Sequence, residues 1–211
     1  MGRSNEHPGR IQERRRRLAH ELARLMNEGG ADDFRQAKLR AARRLGIHDE
    51  AAMPRNQDIE AALREYQRLF SGPEQRAALH RLRRAALDAM TFFSGFSPRL
   101  AGPVLEGTAG TDAAVELHLH SDAAEDVAHF LQDQRIPAQS RDRRVQFDAS
   151  RVQSVPGWTF SAGEVPFELL VLPLEALRHP PLSPIDGKPM ARASAAQLQR
   201  LLRDDDGPAD S

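Results

Sequence analysis

The chain has 211 residues, 40% hydrophobic and 28% charged, with a formal net charge of zero, which is room for one large domain or two small ones and enough apolar material for a core. It has no cysteine, which excludes disulfides, thiolate zinc sites and a cysteine nucleophile. No apolar run nears the roughly 18–20 residues that span a bilayer and the opening MGRSNEHPGR lacks the apolar segment of a signal peptide, so the expectation is a soluble, cytoplasmic protein with no membrane partner.

Residues 1–93 read as a basic helical region of about four helices. Ile11, Leu18, Leu22 and Leu25 fall near helical spacing, and Gly29-Gly30 ends that segment. Asp32 caps a second helix that turns Phe34, Ala37, Ala41, Ala42 and Leu45 inward before Gly46. Pro54 and Asn56 open a third, with Ile59, Leu63, Tyr66, Leu69 and Phe70 as its stripe, broken at Gly72-Pro73. A fourth runs from about Glu74 to Phe93, with Leu79, Leu82, Ala86, Leu87 and Met90 inward.

The pattern then changes. In residues 94–203, Val115, Leu117 and Leu119 alternate with Glu116, His118 and His120, which is strand spacing. Asp122–Gln134 reads as a helix capped by Ser121 or Asp122, with Glu125 and Asp126 suited to its positive end. Strands are predicted over Arg143–Asp148, Trp158–Ser161 and Val165–Leu172, a loop over Pro180–Pro189, and a last helix capped by Ser194 and ending near Leu202. Residues 204–211 form an acidic tail with a disordered composition. The predicted class is α+β: a helical region followed by a mixed-sheet α/β domain.

Charge divides along the same line. Residues 1–99 carry 20 Lys and Arg against 13 Asp and Glu, and residues 100–211 carry 10 against 17. The basic half, including Arg14–Arg17 and Arg35, Lys38, Arg40, Arg43 and Arg44, offers a stripe for RNA or DNA phosphates or for a protein partner. Interleaved Glu13, Glu21 and Glu28 equally suit a solvated helix face with i,i+4 pairs.

The stretch PRLAGPVLEGTAGTDAAVELHLH, residues 98–120, is the richest in chemistry. Nucleotidyl transfer uses carboxylates on strands to hold divalent metal at nucleotide phosphates, and a glycine turn opening a helix to present backbone N–H groups. The stretch resembles the nucleotidyltransferase-fold pattern of Gly-Ser opening a helix, a second Gly, and Asp-x-Asp on a strand. Gly102 stands at the first Gly, Gly107 at the second, Glu116 at the second Asp, and Glu168 in VPFELLVLP where the third carboxylate is expected. Pro103 replaces the Ser and Ala114 the first Asp. The helical N-terminus and the SPIDGKPM–RAS ending are also similar to those of uncharacterised bacterial nucleotidyltransferase-like proteins.

The resemblance implies a nucleotidyltransferase-like domain. Gly102 and Gly107, with Thr108 beside them, would frame the phosphates of a nucleoside triphosphate. Glu116 and Glu168 would hold Mg²⁺ and carry catalysis. Lys188 and Arg192, flanking the Pro-rich loop, offer cations for the triphosphate. Loss of the Ser and Asp positions makes a catalytically inactive nucleotide-, RNA- or protein-binding module the alternative. A third reading takes Glu116, His118 and His120 as ligands of zinc or another transition metal, against a plain polar sheet face. No G-K-[ST], G-x-S-x-G or G-x-G-x-x-G motif is present.

Overall fold

A computed structural model describes residues 18, 19, 21, 22, 58, 59, 61, 62, 72–148, 150–183 and 187–205. The chain divides into two compact units, Met1–Gly72 and Pro73–Ser211. In the first, Leu18, Ala19, Glu21 and Leu22, and Asp58, Ile59, Ala61 and Ala62, are helical. Leu18, Leu22 and Ile59 are buried, in keeping with the stripes predicted there. The second predicted helix, the basic residues Arg14–Arg17 and Arg35, Lys38, Arg40, Arg43 and Arg44, and residues 206–211 of the acidic tail lie outside the described residues. Asp204 and Asp205, expected in that tail, instead belong to the last helix, where Arg83 pairs with Asp205.

The second unit begins with helix α1, Pro73–Phe92. Its composition groups it with the N-terminal helices, which puts the expected boundary at residue 93. The structure instead starts the unit at Pro73. The reason is packing: Leu82, Ala86 and Met90, four residues apart on one helix face, enter the core formed by the following strands.

After a 3₁₀ turn at Ser94–Phe96 come strand β1, Arg99–Ala101, the short helix α2, Gly102–Glu106, strand β2, Val115–His120, and helix α3, Ala124–Asp133. Strands β3, Gln139–Ser140, β4, Arg143–Gln146, β5, Val152–Val155, β6, Gly157–Ala162, and β7, Val165–Leu172, come next. A second 3₁₀ turn, Leu174–Leu177, and helix α4, Ala195–Asp205, complete the unit.

Five strands form a mixed sheet in the order β1-β2-β7-β6-β3, while β4 and β5 form a separate antiparallel hairpin. Only the β2–β7 pairing within the sheet is parallel. On one face, Val115, Leu117 and Leu119 of β2 and Phe167, Leu169 and Val171 of β7 meet α1, α3 and α4 in the main core. On the other, Leu170 and Leu172 pack with Val155, Ala176, Val145 and Phe147, so the hairpin lies over part of that face. The α+β expectation with a mixed sheet holds for this unit, and no helix of the described residues is long and apolar enough to cross a membrane.

Two caps differ in their fate. Ser194 and Gln197 exchange reciprocal hydrogen bonds at the start of α4, Ser194 N to Gln197 Oε1 at 2.8 Å and Gln197 N to Ser194 Oγ at 3.4 Å, a capping box. At α3 the N-cap is Ala123 and no side chain caps it. Ser121 Oγ turns to the Ala123 backbone, and Asp122 Oδ1 accepts the Leu174 N–H at 3.0 Å. Asp122 thus joins the start of α3 to the turn after β7 in place of the predicted cap.

Arg83 is a charge in the core, 5% exposed. Its Nε donates to the Val104 carbonyl and its Nη2 to the Leu105 carbonyl, at the C-terminal end of α2, and its Nη1 pairs with Asp205 at 2.7 Å. One guanidinium therefore ties α1 to α2 and α4. Arg83→Ala leaves those buried acceptors unpaired and should lower stability by about 2–4 kcal/mol. Asp205→Asn keeps the backbone contacts and should cost under about 1 kcal/mol. Urea denaturation of the two variants checks this: equal losses would show that Arg83 acts chiefly through Asp205.

Candidate functional site

The parallel register of β2 and β7 sets Glu116 directly opposite Glu168. Parallel partners point to the same side of a sheet, and neighbouring strands lie about 4.8 Å apart. The register thus sets the two glutamates side by side on one face of the sheet. Both side chains are mostly buried, 19% and 16% exposed.

Gly102 completes the same corner. It has φ +67°, in the left-handed region, and a Cβ there would stand 3.1 Å from Glu116 Oε2. Only glycine meets both demands without strain. Ala101 of β1 pairs with Glu116, so the step from β1 into α2 occurs beside the carboxylate. Pro103 sits in the first turn of α2, where its missing N–H breaks no helical bond but leaves one donor fewer for a ligand.

Each carboxylate has an internal cation or donor. His118 Nε2 lies 3.0 Å from Glu116 Oε1. Arg143, the first residue of β4, pairs with Glu168: its Nη2 donates to Oε2 at 3.1 Å, and its Nε stands 2.8 Å from Oε1 as an ion-pair contact without hydrogen-bond geometry. Burial pushes the Glu116 carboxyl upward, but the hydrogen bond and charge of His118, with the charge of Arg143, outweigh it and hold the group below the usual value. His118 is 1% exposed and its Nδ1 has no hydrogen-bond partner among the described residues.

His120, also buried, belongs to a different arrangement. Its Nδ1 lies 2.9 Å from the Ser97 carbonyl and its Nε2 3.1 Å from Arg192 Nη1. A carbonyl only accepts and a guanidinium only donates, so His120 is the Nδ1–H neutral tautomer. Burial lowers its pKa to about 4, with Arg192 adding to the effect against the opposing Ser97 hydrogen bond. Arg192 donates further to the Ala176 and Leu177 carbonyls, so it fastens the segment before α4 to the turn after β7.

The remaining predicted residues are dispersed. Gly107 is the left-handed C-cap of α2, its N–H bonded to the Pro103 carbonyl, and Thr108 N bonds the same carbonyl. These two residues therefore stand at the opposite end of α2 from Gly102, at the negative pole of the helix and beside Arg83. Lys188 is exposed on the loop bonded to β4 through Leu182 and Gln146. Sequence reasoning missed Arg143, Ser97 and Ala101. A strand is predicted from Arg143 to Asp148, and nothing in its spacing points to Glu168.

Glu116 and Glu168 are the two hard oxygen donors that a magnesium ion would use here; Gly102 keeps a side chain away from Glu116 Oε2, and Arg143 already pairs with Glu168. A transition-metal centre of Glu116, His118 and His120 would need His120 to give up both its partners. Among the described residues no group of three or more His, Asp or Glu is placed to hold a metal ion. Comparison of the chain with family models, curated proteins and solved structures finds no match.

The lowered pKa of His120 carries a pH signature. The unfolded chain protonates this residue near pH 6.5, the folded chain only near 4. The unfolded state therefore takes up the extra proton in that window, and stability falls as pH drops through it and is complete above it. Gln in its place offers one donor and one acceptor without titrating. Between pH 6.5 and 4.5 the wild type should lose roughly 1–2 kcal/mol that His120→Gln retains. Urea midpoints at the two pH values measure it, and parallel losses would refute the tautomer assignment.

Proposed function

We propose that the second unit is a divergent nucleotidyltransferase-like module that binds a nucleoside triphosphate with Mg²⁺ at Glu116 and Glu168. The observation that carries this reading is the register pairing of those two carboxylates with Gly102 against one of them. It supports the sequence resemblance in order and in space: a glycine at the start of a short helix, a carboxylate on the next strand, and a second on the strand paired with it in parallel.

In this reading Glu116 and Glu168 hold the metal, which supplies charge neutralisation at the phosphates when bound. Gly102 keeps the approach to Glu116 free of a side chain. His118 is a positioning residue: its Nε2 fixes one oxygen of Glu116 and leaves the other toward Gly102. Arg192 positions the segment that leads into α4, because its donors are already committed to His120 and two carbonyls.

Binding without turnover is the second reading, and specific residues favour it. Ala114 has no ligand to offer, Pro103 has no N–H, and Arg143 already occupies Glu168. The two readings share the binding step and part only at turnover.

Isothermal titration of the metal-stripped protein with each of the four nucleoside triphosphates, with and without Mg²⁺, tests the shared step. The expected result is Mg²⁺-dependent binding that Glu116→Gln and Glu168→Gln each weaken at least about tenfold. Mg²⁺-dependent consumption of the bound triphosphate then marks transfer, and its absence marks the binding module. Unchanged affinity in both variants would remove these carboxylates from the site.

A further inference from the structure

The Glu116–Glu168 corner is covered by a piece of structure that the main sheet does not require. The β4–β5 hairpin is a sheet of its own. It meets the main sheet through Val155, Val145 and Phe147 packed on Leu170, Leu172 and Ala176. Its turn is organised locally: Asp148 Oδ1 accepts from Ser150 N, Ser150 Oγ and Arg151 N, each at 2.8 Å. At the end of β4 away from that turn stands Arg143.

Two features of Arg143 go beyond a surface ion pair. The ion pair carries one hydrogen bond, Nη2 to Glu168 Oε2, with Nε 2.8 Å from Oε1, and its charge also reaches Glu116. The guanidinium thus supplies the positive charge of the carboxylate pair from within the chain. Yet Arg143 is 40% exposed against 16% for Glu168, so its outer side faces water and it can leave the carboxylate without first unfolding the core.

We propose that Arg143 is an intramolecular plug. Its guanidinium holds the cation position at Glu168, and a divalent cation and Arg143 occupy that carboxylate in alternation. The inference rests on the carboxylate-site reading above and adds to it a resting state closed by the hairpin. A cation arriving at Glu168 meets a positive charge at hydrogen-bond distance and must displace it. Entry therefore frees Arg143, on an exposed arm at the rim of the site, for the anionic ligand that accompanies the metal.

The test is Mn²⁺ binding to the full-length protein, read by the loss of the free-ion electron paramagnetic resonance signal, which needs neither nucleotide nor turnover. Arg143→Gln should bind Mn²⁺ at least about tenfold more tightly than wild type, since the competing charge is gone while the hydrogen-bonding length is kept. Arg143→Lys retains the charge and should stay within about threefold of wild type, which separates displacement of charge from loosening of the hairpin. Glu168→Gln in the Arg143→Gln background should abolish the gain. Equal affinities for wild type and Arg143→Gln would overturn the plug and leave the carboxylate site standing. No binding by either would overturn both. A matching gain in Arg143→Lys would overturn competition by charge.

Discussion

The parallel pairing of β2 with β7 is the constraint on which the rest of the second unit depends. Parallel neighbours cannot be joined by a tight turn, so the whole of α3 and β3 to β6 lies in the connection between them. Strands placed in this way are covered on both faces. On the first face the cover is helical and apolar. On the second, β2 and β7 together present Glu116, His118, His120 and Glu168 to a space that the hairpin and the C-terminal segment close. Every charge there must find its partner inside the protein, because a buried ion without one costs several kcal/mol. The Glu116–His118, Glu168–Arg143 and His120–Arg192 contacts are the consequence.

Bringing Arg143 over Glu168 makes a demand on the chain between β3 and β4. Arg141 N bonds the Gly157 carbonyl at 2.8 Å, and a Cβ on Gly157 would stand 2.7 Å from the Arg141 carbonyl and 2.8 Å from that of Leu169. Backbone therefore lies against backbone at the start of β6, and any side chain there would force it apart. Two glycines with different duties frame the site: Gly157 lets the covering segment come close, and Gly102 lets β1 turn into α2 against Glu116.

Much of this architecture is legible in the sequence. The run VPFELLVL predicts a strand over Val165–Leu172 and forms one, and the alternation of VELHLH marks β2 to the residue, because these strands carry strong periodicity or a continuous apolar run. The S-x-x-Q start of α4 is visible in Ser194, a local device that needs no tertiary context. Strands β1 and β5 are not legible. β1 is three residues long, and β5 is largely exposed, so neither shows a hydrophobic period. The burial of His118 and His120 is hidden for a related reason: alternation in one strand shows which residues share a face, and cannot show that a distant hairpin covers it. Arg83 and Arg143 look like their many exposed neighbours in the sequence. What separates them is a carbonyl pair in one case and a carboxylate in the other, each brought up by long-range packing.

The fold on its own does not need a polar corner. A few residues along the same sheet face, Leu170 and Leu172 pack against Val155 and Ala176, an apolar contact that helps hold the hairpin there. Continuing that apolar surface through positions 116, 118, 168 and 143 would be the simpler solution, since replacing buried ion pairs with well-packed apolar side chains is often neutral or stabilising. The quartet also leaves His118 Nδ1 buried without a partner among the described residues, a cost that an apolar side chain would not incur. Local departures from the economical packing of a core mark the places where a structure is shaped by something besides folding. Here the departure lies where two glutamates, a glycine with no room for a side chain and a partly exposed guanidinium converge, and that convergence is the physical ground of the proposed site.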